Sequence, residues 1–410
     1  MKTIPTLVIA LVTTTLAFAQ QQPPSPAATA LAAANNAFAC DLYAQLKNTE
    51  GNLFFSPFSV SSALAMTYAG AKGDTAAQMQ KALHFPTPQE NKNIHTSFAA
   101  LLKHFDDVPH VQLNISNSLW PQKGAPLLEN YLALVKQNYG VEITSVDFEH
   151  AEPEARAQIN RWVKEKTRDK IQNIITSPLA PTARLVLVNA VYFKGTWENT
   201  FKPDSTKEEP FHSWSTKSDV KAPLMRQTSA FLYAEQNYAQ FIELPYKGGN
   251  ISMLIILPAN KTRDDGIARM EKLLSLKQIE RWRKNMKPTK VQVFLPKFRI
   301  DWGAQSLVEM LKKLGMQDAF DIGKADFSGM NGNKDFFVSD ILQKAFVAVD
   351  EEGTEAAAAT GETIMLGAMP RKPPPPPPIF RADHPFLFLI QDNATGCILF
   401  MGRVVNPAAQ

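Results

Sequence analysis

Apolar residues follow two rhythms along this chain, and the balance between them shifts near its middle. In the first half the spacing is mostly helical. Leu31, Phe38, Leu42 and Leu46 recur through an alanine-rich stretch, and Ile94, Phe98, Leu101, Leu102 and Phe105 mark another amphipathic helix. Between them Leu53, Phe54 and Phe55 make a short strand. A helix follows from Ser56 and Pro57, where proline suits the first helical position. It runs through Ala71 to a glycine-bearing turn, and Asp74 is expected to cap the next helix. Ile159, Trp162 and Val163 form the buried stripe of a helix between Glu154 and Ile175. Val111, Leu113 and Ile115 alternate as in a strand, and Val141 to Phe148 is a second strand candidate. Leu185 to Phe193 is apolar on both faces, which predicts a central strand. Strands dominate from Phe211 to Leu257, with a turn at Lys247 to Asn250. Further on come a helical stripe (Ile267, Met270, Leu273, Leu274), a strand (Val291 to Pro296) and another helix (Leu307, Val308, Leu311, Leu314). A hairpin, Phe386 to Ile390 and Ile398 to Val404, closes the chain around Asp392 to Gly396. Helices early and strands late, without regular alternation, predict an α+β fold.

One stretch obeys neither rhythm. A strand-like run, Ala345 to Val349, ends in Asp350, Glu351, Glu352 and Gly353; Thr354, Glu355 and four alanines, Ala356 to Ala359, follow. From Glu362 to Lys372 apolar, small and basic residues mix without a stripe, as in a long loop. Two readings fit the alanines. A short surface helix capped by Thr354 would use alanine's helix propensity. A latent strand would instead put Thr354, Ala356, Ala358 and Thr360 on one face, all small, and Glu355, Ala357, Ala359 and Gly361 on the other. Such a segment can slide between two strands without overfilling a packed core. Pro373 to Pro378 then form a polyproline rod of roughly 19 Å, either a stiff stalk or low-complexity drift.

With 410 residues, length alone favours two or three domains, yet no repeat or interior linker divides the chain. Met1 and Lys2, the apolar run Leu7 to Leu16 and Ala17-Phe18-Ala19 predict a signal peptide over residues 1–19 and hence secretion, extracellular or periplasmic. Residues 20–28 read as a Gln/Pro-rich disordered linker. No other apolar run approaches the roughly 18 residues that cross a bilayer, so no membrane partner is expected. The formal charge of +4 falls by one with Lys2 and is too weak to point to nucleic acid. Arg281-Trp282-Arg283-Lys284 is a local basic cluster at a helix end. Cys40 and Cys397 can pair only if the fold brings them within bridging distance. The seven histidines include no i,i+4 pair, and no G-x-S-x-G, H-E-x-x-H, C-x-x-C or P-loop pattern occurs. Neither metal, cofactor nor catalysis is expected, a dispersed triad being the one form of hydrolase this search would miss.

The latent-strand reading gains a family from the residues around it. Glu351-Glu352-Gly353-Thr354-Glu355 followed by Ala356 to Ala359 resembles the hinge of the reactive-centre loop of the serpins, inhibitors of serine and sometimes cysteine proteases. Phe380 to Phe386 matches that family's C-terminal signature. Asn52 to Pro57, Asn189 to Trp197, Leu295 to Phe298, Ala325 to Met330 and Phe400 to Pro407 are similar to serpin segments in the same order. The resemblance covers residues 29–407 as a single domain. It implies helices around a large central mixed or antiparallel sheet, smaller sheets, and an exposed loop over about 351–379. It also implies a suicide substrate: a protease cuts the loop, stays esterified to it, and is carried along as the loop inserts into the sheet. The alternative is a non-inhibitory serpin acting as carrier, chaperone or storage protein. A monomer is expected.

By position in the family, Glu351 pairs with Lys297 where the loop leaves the sheet, with Trp197 beneath. Ser56, Ser59 and Asn189 belong to a polar cluster under the middle of the sheet. Gln343 joins them where many members carry histidine; an amide donates and accepts but does not titrate. Counting from Glu351 puts the scissile bond between Gly367 and Ala368. Glycine gives a protease pocket nothing to grip, so Leu366 or Met365 would set specificity, favouring elastase-like, chymotrypsin-like or subtilisin-like targets. Arg371 offers a trypsin-like alternative, but cutting there would draw Pro370, which lacks a ladder donor, into the inserted strand.

Overall fold

In the computed structural model, which describes residues 24–87, 93–141, 143–213, 218–259, 266–354 and 375–409, the first helix begins ahead of its apolar stripe. Helix α1 spans Pro26–Leu46, with Ser25 as its N-cap, so residues 26–28, expected as linker, form its first turn. Strand β1 (Leu53–Phe55) leads into α2 (Pro57–Tyr68), capped by Ser56. Helix α3 (Gly73–Ala82) corrects the expected cap: Lys72 holds the N-cap position, and Asp74 lies in the first turn, where its charge faces the positive helix end. Then come α4 (Ile94–Asp106), β2 (Val111–Pro121) and α5 (Glu129–Tyr139).

The strand expected over Val141 to Phe148 is absent among the described residues, save a single bridge from Val146 to Gln122. Phe148 is buried there as loop, its backbone N–H donating to the Gln122 side chain rather than to a neighbouring strand. Helix α6 (Glu152–Lys166) carries the Ile159 and Val163 stripe, and β3 (Leu185–Thr196) follows.

The second half is mostly strand: β4 (Lys207–Ser213), β5 (Ser218–Gln236), β6 (Ala239–Pro245) and β7 (Ile251–Pro258). Helices α7 (Gly266–Leu273) and α8 (Leu276–Lys284) precede β8 (Lys287–Pro296), β9 (Phe298–Ser306) and α9 (Val308–Lys313). The chain ends with β10 (Val338–Val349), β11 (Gly353–Thr354), β12 (Ile379–Arg381), β13 (Phe386–Asp392) and β14 (Ile398–Val404).

Two sheets organise these elements, an α+β fold. One runs β1-β14-β13-β7-β6-β5-β8-β12, with β4 on β5; the other runs β11-β3-β10-β9, with β2 on β3. As expected for a central strand, β3 is apolar on both faces. Val186, Val188 and Ala190 pack with Ile159 and Val163 of α6, while Leu187, Val191 and Phe193 enter the main core. On its edge away from β2, β3 has two successive neighbours. Residues Leu185 to Tyr192 pair with β10 in parallel, and Gly195 and Thr196 pair with β11 antiparallel.

Cys40 and Cys397 are both buried and free, so no disulfide joins them. Burial pushes the Cys40 thiol up to about 12 and the Cys397 thiol well above its usual value. The basic cluster lies at the end of α8, where Arg283 turns onto the buried Glu243 at 3.3 Å.

Candidate functional site

The chain leaves β10 through Asp350 to Gly353, and that corner is held from several sides. The Glu351 carboxylate lies 2.8 Å from Lys297 Nζ and accepts from Thr206 Oγ1 at 2.8 Å. Burial pushes this carboxyl up, but the Lys297 and Thr206 bonds outweigh it and leave its pKa below the usual glutamate value. Trp197 braces the corner from beneath. Its indole N–H donates to the Asp350 carbonyl at 3.1 Å and its backbone N–H to the Glu352 carbonyl at 2.8 Å. The ring stacks on Tyr246 with centroids 4.5 Å apart. Lys297, Glu351 and Trp197, grouped by family position, are therefore brought together; Thr206, which no local pattern marks, joins them.

Gly353 makes the turn possible. Its φ of 146° is one that other residues rarely adopt, and a Cβ there would lie 2.1 Å from the Gly195 carbonyl oxygen. The chain thus comes down onto β3, pairing Gly353 with Thr196 and Thr354 with Gly195.

Halfway down, Gln343 and Asn189 face each other across the β3–β10 seam, both fully buried. The Gln343 amide nitrogen donates to Asn189 Oδ1 at 2.5 Å and to the Ser56 carbonyl at 3.0 Å, and its oxygen accepts from the Ser56 N–H at 3.2 Å. Asn189 Nδ2 donates to Ser59 Oγ and to Asn117 Oδ1. Ser56, Ser59, Asn189 and Gln343 thus form one connected network. Asn117 and Ser62, joined by a 2.6 Å bond, belong to it and escape the sequence reading. The signal for Asn117 is its register: it sits directly opposite Asn189 on β2. Buried amides demand partners, and here they find each other.

Glu355, Ala356 to Ala359, Met365, Leu366, Gly367, Ala368 and Arg371 lie outside the described residues, as does the stretch 1–19 expected to be a signal peptide. Among the described residues no group of three His, Cys, Asp or Glu side chains is placed to hold a metal, and no helix is long and apolar enough to cross a membrane. What this geometry can do is mechanical: a parallel seam, hydrogen-bonded at its middle, lies directly below a strand that has just begun.

Known proteins share this fold. The chain matches the family model described as serpin (serine protease inhibitor) over residues 33–407. It is 41% identical over 384 residues to a leukocyte elastase inhibitor of Xenopus laevis, covering 92% of this chain and 99% of that protein. With an uncharacterized serpin-like protein of Thermococcus kodakarensis it shares 42% identity over 375 residues, 91% of this chain and 84% of the other. The thermophilic serpin Tengpin, solved in the native state, superposes with a TM-score of 0.80 at 29% identity, covering 92% and 94% of the two chains. A family match over almost the whole described chain, and the fold to go with it, lead to one conclusion: this protein belongs to the serpin family.

Proposed function

We propose that the protein is a secreted, irreversible inhibitor of a serine protease, which it traps by inserting its cut loop between β3 and β10. The observation that carries this is β11. Gly353 and Thr354 already run antiparallel along β3, on the edge that β10 occupies lower down. Continued in the same register, the chain would bring Glu355 opposite Lys194 and Thr360 opposite Asn189. One parallel pairing would become two antiparallel ones, which are slightly more stable per residue. About ten new ladder bonds at a net ~0.5–1.5 kcal/mol each would release on the order of 10 kcal/mol. That is comparable to the roughly 5–15 kcal/mol that holds an ordinary domain together, enough to deform an attached enzyme.

The Xenopus relative's name, leukocyte elastase inhibitor, supports an elastase-like target. Leu366 and Met365, beside the Gly367–Ala368 bond, suit such an enzyme. Secretion rests on residues 1–19. The test is incubation of purified protein with elastase-like, chymotrypsin-like, subtilisin-like and trypsin-like proteases, followed by a denaturing gel and mass spectrometry of the released peptide. A complex that survives detergent, with the cut near Gly367, is the expected result. Cleavage by every member of the panel without a surviving complex would leave the carrier or storage reading in its place.

A further inference from the structure

The face of the β3–β10 seam that α6 covers is not uniform. Lower down, Val188, Ala190 and Leu342 pack under the apolar stripe of α6. At the last pair before β11, Tyr192 and Phe346 stack across the seam instead, with ring centroids 6.2 Å apart and planes 17° from parallel. Both rings are buried. The Phe346 ring is also met by the Arg299 guanidinium of β9 at 4.9 Å and by Lys170 Nζ, from the segment after α6, at 5.9 Å. Contacts from β3, β9 and the α6 side therefore converge on a single β10 side chain. A strand growing down from β11 would reach this stack before it reaches the Asn189–Gln343 pair.

We propose that the Tyr192–Phe346 stack, with Arg299 and Lys170 on the Phe346 ring, is a latch that sets how fast the seam parts. The proposal rests on the insertion reading above and deepens it by naming positioning residues. Ring stacking falls off once the partners separate, so the Tyr192–Phe346 contact holds the closed seam and is lost as it opens, while Arg299, on β9 beside β10, travels with Phe346 and keeps its ring aimed at Tyr192. A strand arriving between β3 and β10 would take Tyr192 away from Phe346 and supply contacts of its own. The latch therefore bears on the rate of opening rather than on the stability of the inserted form. Opening competes with hydrolysis of the acyl-enzyme, so the same residues would divide encounters between trapping and release.

The experiment uses the full mature chain and a synthetic peptide with the sequence of residues 354–367, whose annealing into the uncut protein is followed on native gels. Melting temperatures are recorded before and after the loop is nicked. Phe346→Leu, which keeps an apolar side chain but loses the ring, is expected to anneal peptide about tenfold faster than wild type. Phe346→Tyr, which restores a ring, should bring the rate back to within about twofold. Lys170→Met and Arg299→Ala remove no core residue and should each speed annealing about two- to threefold. In all four, the melting temperature of the nicked form should stay near that of nicked wild type, which a merely destabilising change would lower. Annealing at the wild-type rate in Phe346→Leu, Lys170→Met and Arg299→Ala, with nicking still raising the melting temperature, would overturn the latch alone. A wild-type protein that gains no heat resistance on nicking would overturn the insertion reading and the latch with it.

Discussion

The β13–β14 hairpin and the β3–β10 seam both lie in the interior of their sheets, and they are held in opposite ways. Strands β13 and β14 follow each other in sequence, pair antiparallel around a tight turn, and are buried along their whole length. Phe54 of β1 stacks on both, with ring centroids 5.8 Å from Phe388 and 4.9 Å from Phe400. Strands β3 and β10 pair in parallel, and the Asn189–Gln343 bond at their middle joins residues 154 positions apart. Parting the hairpin would expose aromatic surface and gain nothing, while its short turn re-closes it readily. Parting the seam frees amides and hydroxyls that can bond to whatever strand comes between them. A junction meant to last is local and apolar; one suited to exchange is distant and polar.

That contrast can be broken most decisively at Thr354. Thr354→Arg would force a charge onto the small face of the inserting segment, and complete loss of detergent-resistant complex is expected, with the loop cut as ordinary substrate. An undiminished yield on the gel would mean that the seam does not admit this strand. Next comes Phe400→Ala in the hairpin, expected to cost about 3–5 kcal/mol. The loss should appear equally in intact and nicked protein by chemical denaturation, because the hairpin is common to both. Asn189→Ala leaves Gln343, Ser59 and Asn117 short of a partner and should cost about 1–3 kcal/mol in the intact form. Unlike the hairpin variant, it should also speed peptide annealing.

Lys297→Ala should cost less, roughly 0–1 kcal/mol, since that ion pair is partly open to water. Glu351 has a depressed pKa, so the stability it contributes is present above the usual glutamate value and is lost as pH falls through the depressed one. Acid titration of the melting temperature should show that window in wild type and a narrower one in the variant.

The smallest effect is a mild alkaline one, and it sharpens the comparison. His104 Nε2–H donates to the buried Asp392 carboxylate at 3.0 Å, beside the hairpin turn. The Asp392 bond raises the histidine above its ordinary 6.5, against an opposing push from burial. Its contribution is therefore complete below 6.5 and lost as pH rises through the raised value. The six side chains of the seam network include no titrating group, so the annealing rate should stay flat over the same range. Gln343→His should give it a slope.

Much of this architecture is legible in the sequence because periodicity records which faces are buried. Residues Leu185 to Phe193 announce a strand covered on both sides, and the closing hairpin announces itself by its turn. The site is harder to read. Nothing local joins Glu351 to Lys297 or Gln343 to Asn189, and only their resemblance to family positions groups them. Asn117 falls on the same face of β2 as Val111, Leu113 and Ile115, and its register against Asn189 is what supplies that inward amide with a partner. Val141 to Phe148 alternates like a strand, yet a side chain, Gln122, meets the need that a neighbouring strand would have met. Asp74 has the chemistry of a cap, but the helix begins at Gly73, so the cap position falls two residues ahead of it, at Lys72.

The segment between β11 and β12 has its two ends on different sheets: β11 lies on β3, whereas β12 lies on β8 of the larger sheet. Completing β11 down to the level of Leu185 would consume residues 355–364. Only 365–374 would then remain to climb back and cross to the described chain before β12. An extended backbone covers at most ~3.6 Å per residue, so the return leg can do no more than match the descent, with nothing left for the crossing. On the insertion reading proposed above, an unbroken polypeptide would act as its own safety catch, and hydrolysis of one peptide bond would be the key that releases it.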